Sequence, residues 1–196
     1  LLQNENQRGR GINMTNLSRV IGICGSPRQK GNTNTLVSEI LAGAAEAGAS
    51  TSIVILDDLD IRPCKGCFAC SKTHECIQND DMNELARTLG ECSVWVLGTP
   101  IYWWGPTAQF KAFLDRWVSI ARSTLSGKKV ILAIPMGGGS ESYAQHTVAM
   151  FEDIFSYLGM NHITTILAPG SDGRDAVRNS PQLIERARRT GKDVTQ

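Results

Sequence analysis

Residues 64–76 read CKGCFACSKTHEC and hold four of the six cysteines of the chain, spaced C-x2-C-x2-C-x5-C. A thiolate is a nucleophile, a soft metal ligand and a redox centre, so this density asks for a chemical reason. Three compete: a disulfide staple, a zinc site and an iron–sulfur cluster. A second segment, GSPRQKGNTNTL at 25–36, offers a different chemistry. Its Gly, Ser and Thr run into a helix start, where free backbone N–H groups and the helix dipole attract an anion. Ser26, Asn32, Thr33 and Asn34 add donors and Arg28 adds a charge. Two well-known nucleotide loops are excluded. Gly31 is followed by Asn32 where the Walker loop needs lysine, and no G-x-G-x-x-G is present. A cradle rich in side chains without that lysine suits a terminal phosphate monoester. The plain alternative is a polar turn with a good helix start.

The elements that must position these loops are legible in the apolar pattern. Five runs, VIGIC (20–24), SIVIL (52–56), SVWVLG (93–98), VILAI (130–134) and ITTIL (163–167), lack polar alternation. That is how strands buried on both faces read. Helical stripes lie between them. One joins Leu36, Val37, Ile40, Leu41 and Ala44, with Gly48 to end it; the next joins Met82, Leu85, Ala86 and Leu89 after an Asp80-Asp81 N-cap. Phe110, Phe113, Leu114, Trp117 and Val118 form a third stripe, and Ala144, Val148, Phe151, Phe155 and Leu158 a fourth. Ser180-Pro181 opens the last helix, with Leu183, Ile184 and Ala187 inward. Five strand–helix alternations predict an α/β fold: a three-layer α/β/α sandwich on a five-stranded parallel sheet of flavodoxin-like order 2-1-3-4-5. Ligands of such sheets bind beyond the carboxyl ends of the strands. The loops after strands one, two, three and four all emerge there.

Charge and length bound the rest. With 196 residues, 20 basic and 19 acidic side chains, the chain suits one domain and carries no field to attract nucleic acid or an anionic membrane. No apolar run is long enough to span a bilayer, and LLQNENQRGRGIN lacks the apolar core of a secretory signal. We expect residues 1–18 to be a disordered leader or cloning remnant, with Met14 as a natural start, and residues 19–196 to form a single domain with a cysteine-rich loop at 62–80. The expected compartment is the cytoplasm, where stable disulfides are rare. His74, His146 and His162 are scattered, Ser140 lacks the G-x-S-x-G elbow, and Arg186, Arg188, Arg189 and Lys192 read as a solvated helix face. Lys111 and Asp115 read as a surface pair, and Cys24 and Cys92 as buried core thiols.

GTPIYWWGPTAQFKAFLDR at 98–116, following the G-S-P-R-x-x-G-N-T loop, resembles the NAD(P)H-dependent FMN reductases of the flavodoxin-like superfamily. The likeness runs from about Val20 to Val194. It implies that Ser26, Arg28, Asn32, Thr33 and Asn34 hold the FMN phosphate, and that Pro100, Ile101, Tyr102, Trp103 and Trp104 line the isoalloxazine ring. PMGGGS at 135–140 implies a backbone wall from Gly137, Gly138 and Gly139 on the other side. A flat apolar ring favours aromatic neighbours, and glycine lets backbone approach its polar edge. Trp103 and Trp104 also suit a subunit interface, and the resemblance implies a homodimer or homotetramer.

Zinc commonly takes two cysteine pairs set well apart, whereas cysteines at i, i+3 and i+6 resemble the start of a bacterial ferredoxin cluster site. Cys76 is close enough to be a local fourth ligand. With Pro63 before and Asp80-Asp81-Met82 after, the segment looks like that of the iron–sulfur flavoproteins, which implies a [4Fe–4S] cluster on Cys64, Cys67, Cys70 and Cys76. The W-W-G-P loop and the ending look more like plain FMN reductases, so redox-active free thiols and zinc stay open. The expected activity is flavin-centred, with no protein acid or base. Electrons pass from NAD(P)H or a reduced ferredoxin-like protein to a small acceptor such as a quinone, a free flavin or a nitro- or azo-aromatic compound. An electron carrier or redox sensor is the alternative from another class.

Overall fold

Apolar segments too short to bury themselves stack into a sheet here, and helices cover both of its faces. The computed structural model describes residues 18–196. The leader expected at 1–18 lies, through residue 17, outside the described residues. The strands are β1 (Arg19–Cys24), β2 (Ser50–Ile55), β3 (Val94–Gly98), β4 (Lys129–Pro135) and β5 (Asn161–Ala168). They pair in parallel in the order β2-β1-β3-β4-β5, the expected flavodoxin-like topology.

The helices are α1 (Asn32–Glu46), α2 (Met82–Glu91), α3 (Ala108–Asp115), a short α4 (Arg122–Leu125), α5 (Gln145–Leu158) and α6 (Pro181–Val194). One core packs Leu36, Ile40 and Ala44 of α1 and Ala187 of α6 against Val20, Val96 and Ile131. The other packs α2, α3 and α5 through Met82, Leu89, Phe110, Phe113, Phe151 and Phe155 against Ile21, Ile23 and Leu97. An edge-to-face contact of Phe110 with Phe151, at 5.5 Å, joins α3 to α5, and Phe110 meets Phe113 of its own helix in the same way at 5.7 Å.

The expectation of strands buried on both faces holds for β1, β3 and β4 and fails at the edges. β2 flanks only β1 and leaves Ile53 40% exposed, and β5 is half-buried. The third helical stripe is also shorter than expected. α3 ends at Asp115 and a 3₁₀ turn carries Arg116–Ser119, which rotates Val118 outward to 51% exposure. Asp81 occupies the N-cap of α2 without capping it through its side chain; its carboxylate accepts instead from the Asp60 N–H at 2.7 Å.

Helix α6 locks α1, whose N-terminus faces the first loop. A Cβ on Gly43 would sit 1.9 Å from the Arg188 carbonyl, and one on Gly191 would sit 1.9 Å from that of Ile40. Backbone cannot yield as a side-chain tip can, so the two helices cross where only glycine fits. Gly43→Ala and Gly191→Ala are each expected to cost about 1–3 kcal/mol by overpacking, read as a lower urea midpoint.

Candidate functional site

The first loop leaves a helix N-terminus open, a geometry that can receive an anion. Gly31 stands at the N-cap of α1, no side chain caps the first turn, and no acidic residue lies in it. The loop is braced from below, where Gly25 donates to the Gly98 carbonyl at 2.8 Å. Buried Ser26 accepts from the Arg28 N–H at 3.2 Å. Thr107, the N-cap of α3, ties this loop to the next. Its hydroxyl donates to the Gly25 carbonyl at 2.5 Å and accepts from Phe110 N, and its own N–H reaches the Thr99 hydroxyl at 3.2 Å.

A cavity of about 290 Å³ brings Ser26, Arg28, Asn32 and Thr33 together with Pro100, Ile101 and Tyr102. A second, of about 380 Å³, adds Trp103, Trp104 and Gly138 and shares Ile101 and Gly137 with the first. Asn34 and Gly139 lie outside both linings. The Asn32 side chain is committed elsewhere: it donates to the Ser171 and Gly173 carbonyls at 3.0 and 2.7 Å and accepts from Val177 N at 3.0 Å. Its amide shapes the site by anchoring the loop after β5. That loop adds Ser171 and Asp172 to the lining, and β4 delivers Met136 at the seam between the cavities. Residue type gave no signal for these; the rule that ligands bind beyond the carboxyl ends of the strands pointed to their loops. A Cβ on Gly137 would meet the carboxylate tip of exposed Asp172, which would have to swing aside.

Trp103 and Trp104 occupy a two-residue hairpin. Tyr102 and Gly105 exchange backbone hydrogen bonds at 2.9 and 3.1 Å, and the two tryptophans between them have φ of 50° and 61°. This is the φ pattern of a type I′ turn, which favours Asn-Gly. A left-handed backbone costs a bulky residue roughly 1–2 kcal/mol. Trp103 recovers little of that by burial, being 92% exposed, while Trp104 is fixed by its carbonyl, which accepts from Thr147 at 2.8 Å. Such strain concentrates at working sites.

The cysteine loop has its own cavity, about 360 Å³, lined by Cys64, Cys67, Cys70 and Cys76. All six cysteines are free thiols. Among the described residues no three His, Cys, Asp or Glu side chains stand in a metal-binding arrangement. The four thiols thus share a cavity without being gathered onto one point. Cys70 is buried, and its thiol points to the Val118 carbonyl at 3.8 Å. Phe68 and His74 take positive φ and bend the loop around it.

What holds this loop is a fully buried ion pair that the sequence did not announce. Arg116 Nη1 and Nη2 donate to the two Asp80 oxygens at 2.6 and 2.9 Å, with both side chains at zero exposure. Nη1 also donates to the Arg62 carbonyl at 2.9 Å, and Asp80 accepts from the N–H groups of Arg62 and Met82 at 3.2 and 3.3 Å. Burial pushes the Asp80 carboxyl up, but the hydrogen bonds from Arg116 and from Arg62 N outweigh it and hold it below its ordinary value. Asn83 closes the far side, donating to the Cys76 and Gln78 carbonyls, both at 3.1 Å.

A family model for NADPH-dependent FMN reductases matches residues 18–172. The chain belongs to that family. It is 31% identical over 185 residues to an iron–sulfur flavoprotein of Methanocaldococcus jannaschii, covering 91% of this chain and 96% of that one. An iron–sulfur flavoprotein of Methanosarcina thermophila is 31% identical over 143 residues, covering 72% and 75%. An NAD(P)H:quinone oxidoreductase from Methanothermobacter marburgensis shares the fold, with a TM-score of 0.72 at 19% identity over 92% of this chain and 98% of that one. Membership in the FMN reductase family makes this chain an FMN-dependent oxidoreductase. Among the described residues no helix is long and apolar enough to cross a membrane.

Two predictions follow from this geometry. In the FMN reductase fold of this chain, Trp103→Asn removes strain and little burial, so a melting experiment is expected to show a gain of about 1 kcal/mol. Asp80→Ala strands a buried guanidinium and is expected to cost about 3–5 kcal/mol in urea unfolding at neutral pH. Because the folded-state pKa lies below the unfolded value of about 3.9, the Asp80 contribution is present above that pH. It is lost as pH falls through the folded value. The deficit of the variant is therefore expected to shrink in acid.

Proposed function

We propose that the chain binds FMN across its two contiguous cavities and passes electrons from NAD(P)H to a small acceptor, with a [4Fe–4S] cluster on Cys64, Cys67, Cys70 and Cys76. The observation that carries the flavin reading is the junction of an uncapped helix N-terminus with an aromatic slot through shared Ile101, Met136 and Gly137. Ser26, Arg28 and the first turn of α1 fit the phosphate, and Ile101, Trp104 and the Gly137–Gly138 backbone fit the two faces of the ring.

Bound FMN would supply the exchange of electrons with NAD(P)H and the acceptor, and the cluster would supply single-electron transfer. The protein then has to bind, orient and exclude water. Arg28 supplies charge at the phosphate end. Thr107 fixes the spacing of the phosphate and ring loops through Gly25 and Thr99. The Tyr102–Gly105 hairpin presents the tryptophans at the rim, where they are expected to meet the acceptor or the second subunit of a homodimer. No side chain in the lining is assigned proton transfer.

For the cluster, the chemistry of the donors fits: four soft sulfurs line one cavity, and the buried cation Arg116 lines it too. A plain FMN reductase with free thiols is the second reading, favoured by the separation of the thiols.

Arg28→Ala tests the flavin reading. Loss of one charge-assisted contact is worth about 1.5–3 kcal/mol, so FMN affinity should fall about tenfold or more while riboflavin affinity stays the same. Equal losses for both flavins would place the phosphate elsewhere. Wild-type protein with FMN should oxidise NADPH when a quinone is added under anaerobic conditions. Binding of FMN without such turnover would favour the electron carrier.

A further inference from the structure

The buried pair beneath the cysteines does more than hold a loop. Arg116 lines the cysteine cavity and Asp80 does not, so the cationic half of the pair borders the space and the anionic half is turned away from it. The Asp80 charge is already met by Arg116 and by the N–H groups of Arg62 and Met82. The guanidinium is not fully used. Its Nη atoms are engaged, yet Nε is buried and has no hydrogen-bond partner. Leaving a buried donor unpaired costs about 1–3 kcal/mol, and natural proteins rarely keep one without a use. The other charged groups on the lining, Lys65 and Asp115, are exposed or half-exposed, and Asp115 is paired with Lys111 at 2.6 Å. Arg116 is thus the only fully buried charge on the wall of the cavity among the described residues.

We propose that Arg116 is the charge-compensating and positioning residue of the cysteine cavity, giving its free Nε–H to the anionic sulfur group held there and raising the reduction potential of that group. This rests on the cluster reading above. Four thiolates make the group anionic, and reduction adds a further negative charge. Net charge and hydrogen bonds to sulfur are two of the terms that set such potentials. A buried cation stabilises the more negative state most, because the lower dielectric around it leaves its field less screened than in water. Asp80 aligns the guanidinium by a two-point grip, which a flexible ammonium would not reproduce.

The test uses the full chain with FMN, reconstituted anaerobically with iron and sulfide. It compares wild type, Arg116→Lys and the neutral double variant Asp80→Asn, Arg116→Gln, which keeps polar groups at both positions. FMN binding and near-ultraviolet circular dichroism report the fold, and an EPR-monitored redox titration reports the potential. The double variant should keep FMN and iron, with its midpoint shifted negative so that the reduced fraction at the wild-type midpoint falls at least tenfold. Arg116→Lys should shift in the same direction by less. Should the double variant lose iron, Arg116→Lys decides, and an unchanged midpoint there overturns the proposal. Iron-loaded variants with the wild-type midpoint overturn it while leaving the cluster reading intact. Failure of the wild type itself to hold iron overturns both, and leaves the FMN site standing.

Discussion

A carboxylate and a guanidinium closed off from water cannot be left half-made, and that constraint fixes the most unusual part of this molecule. The cysteine segment leaves the sheet after β2 in a long loop whose own structure is limited to short 3₁₀ turns at Leu56–Asp58 and Ala69–Ser71, so it needs an anchor. Asp80 and Arg116 give it one. The pair gathers the backbone of Arg62 at the start of the loop, Met82 at the head of α2 and the turn after α3 into one knot. Burying such a pair is costly, and apolar side chains of equal volume often stabilise as well. Its presence here places a buried charge beside the cysteines, where apolar packing alone would have left none.

The flavin side depends on a different economy of design. α1 begins without a side-chain cap and is braced from behind by α6 through the Gly43 and Gly191 crossings. The loop after β3 presents two tryptophans and accepts left-handed backbone at both. Thr107 couples the two devices, since one hydroxyl touches the first loop and caps the helix that follows the second. Left-handed backbone at residues other than glycine occurs at the loops and close approach at the α1–α6 crossing, while the sheet between them is broken only by a shift of register between Val130 and Ile131.

The topology was legible because apolar runs of five or six residues, separated by helical stripes, leave few arrangements open. Edge position was not, since SIVIL reads like a central strand until its neighbours are known. The loops after β1, β3 and β4 that line the two contiguous cavities were legible from residue type. The roles within them were less so: Asn32 turns its amide to the loop after β5, and Asp172 arrives from that loop without any local motif. Arg116 was illegible for a physical reason. Its partner stands 36 residues away, and both residues look like surface charges in sequence. Asp80 read as a helix cap, and only the fold shows that it also serves as a counter-ion.

The most direct test of the account is an electron count. Protein isolated without air, with FMN bound, would be titrated reductively to completion and the electrons taken up per chain measured against iron and sulfide content. FMN accepts about two electrons and a [4Fe–4S] cluster about one. The account predicts about three per chain, with iron and sulfide near four each. An uptake of about two with no iron would contradict it, and would make this chain an FMN reductase whose cysteines serve another purpose.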